Sequence, residues 1–593
     1  MPVHQWIIFG TLLVTLGLFI TGRWRYDIVA LVALMIVVLT GLVPAGHAFS
    51  GFSNPAVITV AAVLVISRGL RNSGIVDLIG ERLLRLKGGV IVQLAALTGI
   101  VAALSAFMNN IGALALLMPV AIQVARKKGV QASVFLMPLA FASLLGGMTT
   151  LIGTPPNIIV ASFRSQTGAA PFGMFQFAPV GAGVALVGLL FIVLLGWRLI
   201  PRRQGSAEAH DLFEIEKYVT EVRLPEESKL VGKRLPEINT FIDGGVNILG
   251  LVRGNERRLA PSPGLVFREG DILILQIDAE NLETLVAKAR LELVGSERIV
   301  REDLESDEVG LMEAVIGINS PLVGRTAFGL DLRRRHGVNL LAVSRQGRRL
   351  RSRLDRIRLQ GGDVVLLQSH VQTAREVLAT LECLPLAQRE LRIGQRRQLI
   401  LPLTVFGLAL LSTAFGLVPA PVAFVMACVI MVMAGCVSLR EAYDSIDWSI
   451  IILLGAMIPV GEALETTGGA QLIAGSLLRL ADRMPASWVL VLVLVLTMFL
   501  SDLVNNAAAV VLTAPIAIGV AQGLGTSADP FLMAIAVGAS CAFLTPIGHQ
   551  SNTLVMGPGG YKFGDYWRMG LLLELIIALV ATPLILLFWP LYP

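Results

Sequence analysis

Five stretches of the chain, Trp6–Ile20, Ile28–Val43, Val180–Trp197, Leu399–Leu417 and Met569–Phe588, are apolar almost throughout. Each approaches the roughly 20 residues that carry a helix across a bilayer. Backbone amides find no water there, so runs of this length fold as internally bonded helices. Of 593 residues 55% are hydrophobic and 15% charged, where a soluble domain carries about 25% charge. The fold class that follows is an α-helical polytopic membrane protein. No Lys or Arg precedes the first block and no small-residue cleavage pattern follows it, so it reads as a first spanning helix, not a removed leader. Cys383, Cys428, Cys436 and Cys541 have neither paired nor metal-type spacing and are expected to be small apolar packers.

Polarity divides the chain into a first membrane repeat (1–203), two inserted polar domains (204–298 and 299–392) and a second membrane repeat (393–593). The outer parts match each other. Asn109-Asn110 and Asn505-Asn506 lie 396 positions apart, and at that spacing Ser105 meets Ser501 and Pro119 meets Pro515. IGTPPN (Ile152–Asn157) meets IGHQSN (Ile547–Asn552) at a spacing of 395. Matches in one order identify internal repeats. The basic clusters at Arg23–Arg25, Arg68–Lys87, Arg126–Lys128 and Arg198–Arg203 share one side if the Asn109-Asn110 segment is a re-entrant hairpin, with arms near 90–108 and 111–125. Arg396, Arg397 and Arg440 then put a second hairpin, about 487–525, on the opposite face. The expectation is two inverted repeats, each with a re-entrant hairpin and a broken helix, in the cell inner membrane with the insert in the cytoplasm.

The insert is itself duplicated, as KLVGKRLPEI…GVNILGLVR…GDILILQ (Lys229–Gln276) and PLVGRTAFGL…GVNLLAVSR…GDVVLLQ (Pro321–Gln368). Short β-rich strings (Asn247–Val252, Asp271–Gln276; Asn339–Val343, Asp363–Gln368), each set followed by a helical tail at Asn281–Arg290 or Val371–Leu381, predict two small α+β domains. Ten arginines between Arg333 and Arg358 read as a solvated basic face, with a phosphate-bearing ligand or anionic lipid as the alternative.

Asparagine is costly in hydrocarbon unless its amide is satisfied, so two adjacent pairs in register mark candidate sites. At a hairpin tip each pair starts a second arm whose free N–H groups favour an anion, while the Asn side-chain oxygens suit a cation. IGTPPN and IGHQSN interrupt their helices with Gly, Pro and polar residues; unwound backbone frees carbonyls for Na⁺, and Thr154, His549 and Gln550 can donate to an anion. His549 is open to anion contact, proton transfer or a plain loop hydrogen bond. Asp502 stands beside a cation or faces a watery vestibule. Arg68 and Glu462, at helix ends, read as interfacial.

The pattern SAFMNN with IGTPPN resembles the divalent anion/sodium symporters of the sulfate/dicarboxylate permease type, and the resemblance covers both membrane repeats. It implies a first sodium site at Ser105, Asn110 and Gly153 and a second at Ser501, Asn506 and Gly548. It implies a substrate face of Asn109, Asn110, Thr154, Pro155, Asn505, Asn506, His549 and Gln550, in a homodimer working by an elevator motion. Asn109 and Asn505 stand where the motif has serine, Ile111 and Ala507 where it has threonine, and His549-Gln550 where it has Thr-Pro, which makes sulfate at least as good a candidate as a dicarboxylate. The insert resembles the C-terminal domain of regulators of potassium conductance (TrkA-C-like), which implies pairing across the dimer and a nucleotide or other small ligand that gates transport. No GxGxxG strand-turn-helix unit accompanies it.

The function expected is sodium-coupled symport of a divalent anion, with Na⁺ as coupling ion and no organic cofactor. The alternatives are a proton-coupled transporter or exchanger on the same scaffold and a ligand-gated anion channel. No P-loop, metal cluster or Ser-His-Asp order points to an enzyme, and nothing points to nucleic acid.

Overall fold

All five apolar blocks are helices. The computed structural model describes residues 3–21, 24–74, 82–83, 88–201, 397–480 and 484–592. It also describes 219–294 (except 242–245, 255, 260, 262–263 and 277–278) and 309–386 (except 318–319, 327–329, 331, 333–334, 336, 346–347, 351–356, 371–376 and 379). The first membrane part holds α1 (Val3–Thr21), α2 (Tyr26–Leu39), α3 (Pro55–Asn72), α4 (Val90–Ser105), α5 (Asn110–Lys128), α6 (Ser133–Gly147), α7 (Pro155–Gln166) and α8 (Ala178–Phe191). The insert carries β1–β10 and α9 (Ala279–Ala289). The second membrane part holds α10 (Arg397–Ala414), α11 (Ala420–Met433), α12 (Leu439–Asp444), α13 (Trp448–Thr466), α14 (Gly469–Leu480), α15 (Ala486–Leu503), α16 (Asn506–Leu524), α17 (Asp529–Ala539), α18 (Gln550–Gly559) and α19 (Trp567–Phe588). Seven helical segments among the described residues are long and apolar enough to cross a membrane.

Both Asn-Asn segments are tips between two helical arms, α4–α5 and α15–α16. Lys128 Nζ donates to Gly88 O at 2.9 Å, so the first pair of arms begins and ends at one place. Gly129 and Gly525, at φ 65° and 63°, close α5 and α16 in the left-handed conformation that favours glycine. Beyond each hairpin a helix is broken in two, α6–α7 and α17–α18. Tyr561, just past α18, donates to Ser133 O and accepts from Met137 N–H at the start of α6. At the other end Arg164 of α7 forms a two-toothed pair with Asp529 at the start of α17, at 2.8 and 2.7 Å. The two broken runs therefore lie antiparallel. They also cross-pack, α5 against α18 and α16 against α7, and every residue of α6 is buried.

Arg68 and Glu462 lie in separate contacts. Arg68 pairs with Glu441 at 2.9 Å, and Glu462 accepts from Gln166 at 3.3 Å. Burial opposes ionisation of Glu441, but the Ser438 amide and hydroxyl and the Arg68 guanidinium outweigh it and hold the carboxyl down at about 2.

The insert forms two five-stranded sheets of one topology, β3-β2-β4-β1-β5 and β8-β7-β9-β6-β10, with all the pairings antiparallel. The strands are β1 (Val219–Arg223), β2 (Asn247–Arg253), β3 (Glu256–Leu259), β4 (Ile272–Gln276), β5 (Glu292–Leu293), β6 (Val309–Ile316), β7 (Asn339–Arg345), β8 (Arg348–Arg349), β9 (Val364–His370) and β10 (Cys383–Pro385). The duplication extends to single bonds. A register slip falls at Ile248/Gly250 and again at Leu340/Ala342, and Arg253–Asp271 recurs as Arg345–Asp363, each at 2.7 Å. The first helical tail is α9. Most of the second tail, the domain boundaries at 203, 298 and 392, and much of the Arg333–Arg358 run lie outside the described residues. The four cysteines are free, and Cys383, Cys436 and Cys541 are buried as small packers.

Candidate ion and substrate site

One local rule builds both hairpin tips. Asn109 Oδ1 accepts from Ile111 N–H at 3.1 Å and caps α5; Asn505 Oδ1 accepts from Ala507 N–H at 2.9 Å and caps α16. The second asparagine of each pair turns back to the first arm. Ser105 Oγ lies 2.7 Å from the Asn110 amide and Ser501 Oγ lies 3.0 Å from Asn506 Oδ1, with all four side chains buried. The same Asn110 amide atom is 3.1 Å from Ser143 O and 3.2 Å from Gly153 O. A nitrogen there, with its two N–H, donates to two of these neighbours at a time, whereas an oxygen there completes a set of four oxygens of the kind that holds a hard cation. Gly147 makes the room, because a Cβ on it would collide with this amide.

Each broken-helix loop is tied to its hairpin by a threonine. Thr150 Oγ1 donates to Ala106 O and accepts from Gly153 N–H at 3.2 Å. Thr545 Oγ1 donates to Asp502 O at 2.8 Å and accepts from Gly548 N–H at 3.1 Å. Asn157 Nδ2 reaches Thr150 O at 2.8 Å, and Asn552 Nδ2 reaches Thr545 O at 3.1 Å. The glycines sit tight against the serines: a Cβ on Gly153 would be 2.9 Å from Ser105 O, and one on Gly548 would be 2.8 Å from Ser501 O. The structure thus gathers Ser105, Asn110 and Gly153 in one place and Ser501, Asn506 and Gly548 in another.

The expected substrate residues occupy helix starts around these two clusters. Thr154 precedes α7 and His549 precedes α18, both in extended backbone, with Pro155 and Gln550 as first helical residues. Asn109, Gly153 and Pro155 line a cleft together with Val60 of α3 and Ile450 of α13. His549 Nδ1 accepts from Ser551 N–H at 3.0 Å, which leaves the ring neutral with its proton on Nε2, available as a donor. Buried polar atoms without a partner collect in this region: Thr154 Oγ1, Asn506 Nδ2, Ser551 Oγ and Asn552 Oδ1. Folded proteins pair nearly all such atoms, so this concentration is a set of donors and acceptors suited to a ligand.

Three features escaped the sequence reading. Thr150 and Thr545 lie 395 positions apart, the spacing of the loops they tie, so the repeat itself carried that signal. Glu574 was legible as the charge inside the last apolar block. Its Oε1 accepts from Phe543 N–H at 3.3 Å while Asp502 Oδ1 accepts from the adjacent Leu544 N–H at 2.9 Å, so neighbouring amides hold two buried carboxyls side by side. The position equivalent to Asp502 in the first half is Ala106. Ser143 contributes only a carbonyl, which no side-chain pattern announces.

Comparison with known proteins agrees with a transporter. The profile of the citrate transporter family (CitMHS) matches residues 16–538 and 479–593. An uncharacterized transporter of Synechocystis sp. is 32% identical over 98% of this chain and 96% of its own. An uncharacterized transporter of Escherichia coli is 30% identical over 99% of both chains. A probable sodium/sulfate cotransporter of Chlamydomonas reinhardtii is 22% identical over 91% of this chain and 83% of its own. These are transporters and not enzymes. Matches that run through both membrane parts and the insert, over a helical fold with two polar hairpin tips, place the chain in the citrate transporter family.

Proposed function

We propose that the protein is a sodium-coupled symporter of a divalent anion, sulfate or a dicarboxylate. The observation that carries this reading is the gathering of buried, partnerless polar atoms at the second hairpin tip and the two broken-helix starts, beside the Ser105–Asn110–Gly153 cluster of the first tip. In this reading the oxygens around Asn110, with Ser105 and Gly153, take one Na⁺, and Ser501, Asn506 and Gly548 take the second. The anion lies between the tips. Asn109, Asn110, Asn505 and Asn506, the Thr154 hydroxyl, His549 Nε2–H, Gln550 and the helix starts at Pro155 and Gln550 supply its donors. Two bound cations offset the anion's charge, so ion and substrate raise each other's affinity by one factor.

The antiparallel course of α6–α7 and α17–α18 supports reading the halves as inverted repeats that open alternately to the two sides, as an elevator against α1–α3 and α10–α13. In the same proposal the insert is cytoplasmic, resembles potassium-conductance regulator domains, binds a small ligand and pairs across a homodimer. The name of the sodium/sulfate relative favours sulfate, and the name of the family adds citrate to the anions worth testing.

The buried Asp502–Glu574 pair favours a second reading, coupling to protons on the same scaffold. Uptake of labelled sulfate, succinate and citrate into proteoliposomes under separate Na⁺ and proton gradients decides. Accumulation driven by Na⁺ is expected. Accumulation driven by the proton gradient alone selects the second reading, and none with any of the three anions removes both.

A further inference from the structure

The two insert domains share a topology, but their equivalent turns differ in what they touch. One face of the second sheet, with Val343, Val365 and Leu367, closes on its own core, while Val315, Leu341, Ala342, Val364 and Leu366 belong to the apolar cluster that contains the membrane helices, as Ile274 of the first sheet also does. At its edge the turn Gln360–Asp363, which leads into β9, lies on α18. Gly557 of α18 approaches the Gly362 carbonyl so closely that a Cβ on Gly557 would collide with it. A Cβ on Gly362 would be 3.0 Å from Thr553 O and 3.8 Å from Thr553 Cγ2. Gly362 is left-handed at φ +85°, a conformation that favours glycine. Its equivalent in the first domain, Gly270, has the same conformation (φ +79°), yet nothing lies within 4 Å of where its Cβ would be. Only the second copy of the turn is docked.

The same domain comes near a second place. Glu382, left-handed at φ 48°, feels the like charge of Asp447 more than the opposite charge of Arg25. Asp447 caps α13, and Arg25, in the α1–α2 turn, donates to Ser449 Oγ of α13 at 2.6 Å. The second domain therefore lies on α18, the helix that begins at His549 and Gln550, and near the α1–α2–α13 corner. Its grip on α18 is backbone against backbone, with Val364 Cγ2 3.4 Å from the Gly557 Cβ position.

We propose that the second insert domain is a strap: lying beside the α1–α2–α13 corner, its Gln360–Asp363 turn holds α18 in place and must part from it before the second half-site moves. This rests on the reading of α18 as part of a moving site. A ligand of the insert would act by preferring the lifted or the seated turn, and only to the extent of that preference.

The test is a pair of cysteines, Thr553→Cys with Gly362→Cys, in full-length protein reconstituted in proteoliposomes. Because Gly362→Cys strains a left-handed turn, uptake by the double variant is compared with its own reduced state rather than with wild type. Oxidation should cut uptake at least about tenfold, reversibly with reductant, and leave both single variants unaffected. Equal uptake in the oxidised and reduced states overturns the strap, while failure of wild type as well as reduced protein to take up any anion overturns the transport reading instead. Gly557→Ala is the second variant, and its readout needs no substrate. Hydrogen exchange should quicken on both sides of the contact, in 553–557 and 360–366, with unaltered exchange in the first domain. Unchanged exchange at 360–366 also overturns the strap.

Discussion

The first and second half-sites are built on the same skeleton and differ in charge. In each, an asparagine caps the second arm, a serine meets the next asparagine, a threonine ties loop to tip, and a glycine sits against the serine carbonyl. The first half has only neutral side chains at these positions. The second adds the Asp502 and Glu574 carboxyls and an imidazole at its helix start. Backbone placement thus accompanies the repeat, whereas ionisable chemistry is confined to one side. If the two halves take turns at opening, proton-dependent behaviour belongs to the second half alone.

Copying the charge into the first half is the harshest way to break this comparison. Ala106→Asp would bury a carboxylate with no Glu574 equivalent and no adjacent amide pair, at a cost of about 3–5 kcal/mol. Loss of folded protein on size-exclusion chromatography is expected, and a monodisperse, active variant would show that the halves are more alike than their residues. Next come the asparagines. Asn110→Ala removes contacts to Ser105, Ser143 and Gly153 and should cost about 1–3 kcal/mol, roughly five- to a hundredfold in apparent affinity for Na⁺ or anion. Asn506→Ala should lie at the low end of that range, since its oxygen meets Ser501 alone. Equal losses measured by uptake titration would mean that the extra contacts of Asn110 carry no weight.

Glu574→Gln is expected to be milder, because its amide oxygen can still accept from Phe543 N–H; Na⁺-driven uptake should fall less than about threefold. A flattened pH profile of uptake in this variant would strengthen the proton-coupled reading. The smallest effect lies outside both half-sites. Glu441 is held at about 2 when folded against a usual 4.5, so its contribution is present above pH 4.5 and fades as pH falls toward 2. The stability difference between wild type and Glu441→Gln should close over that window, as read by thermal unfolding at stepped pH.

Much of this architecture was written in sequence periodicity. Apolar blocks near the bilayer thickness gave the helices, and fixed spacings gave Asn109-Asn110 with Asn505-Asn506 and the two broken loops. Alternating β strings gave two of the five strands in each insert sheet, β2 with β4 and β7 with β9; β1, β3, β5 and their equivalents β6, β8, β10 carried no such string. What stayed hidden depends on groups without a side-chain signature. The Ser143 carbonyl, the space beside Gly147 and the docking of Gly362 on Gly557 are backbone events, set by how distant segments meet. His549 illustrates a further case: the residue was visible, but only the loop geometry showed that Nδ1 is occupied by Ser551 N–H.

The cross-packing of α5 on α18 and of α16 on α7 also governs how the protein is made. At ribosomal rates of about 5–20 residues per second, the first hairpin enters the membrane on the order of tens of seconds before α18 is synthesised. Its polar tip must survive that interval without its final neighbours. The bonds from Asn109 to Ile111 N–H and between Ser105 and Asn110 span only two and five residues, so the hairpin supplies them from within itself. They act as an internal chaperone for a nascent intermediate, keeping one polar atom of each amide paired until the second half arrives.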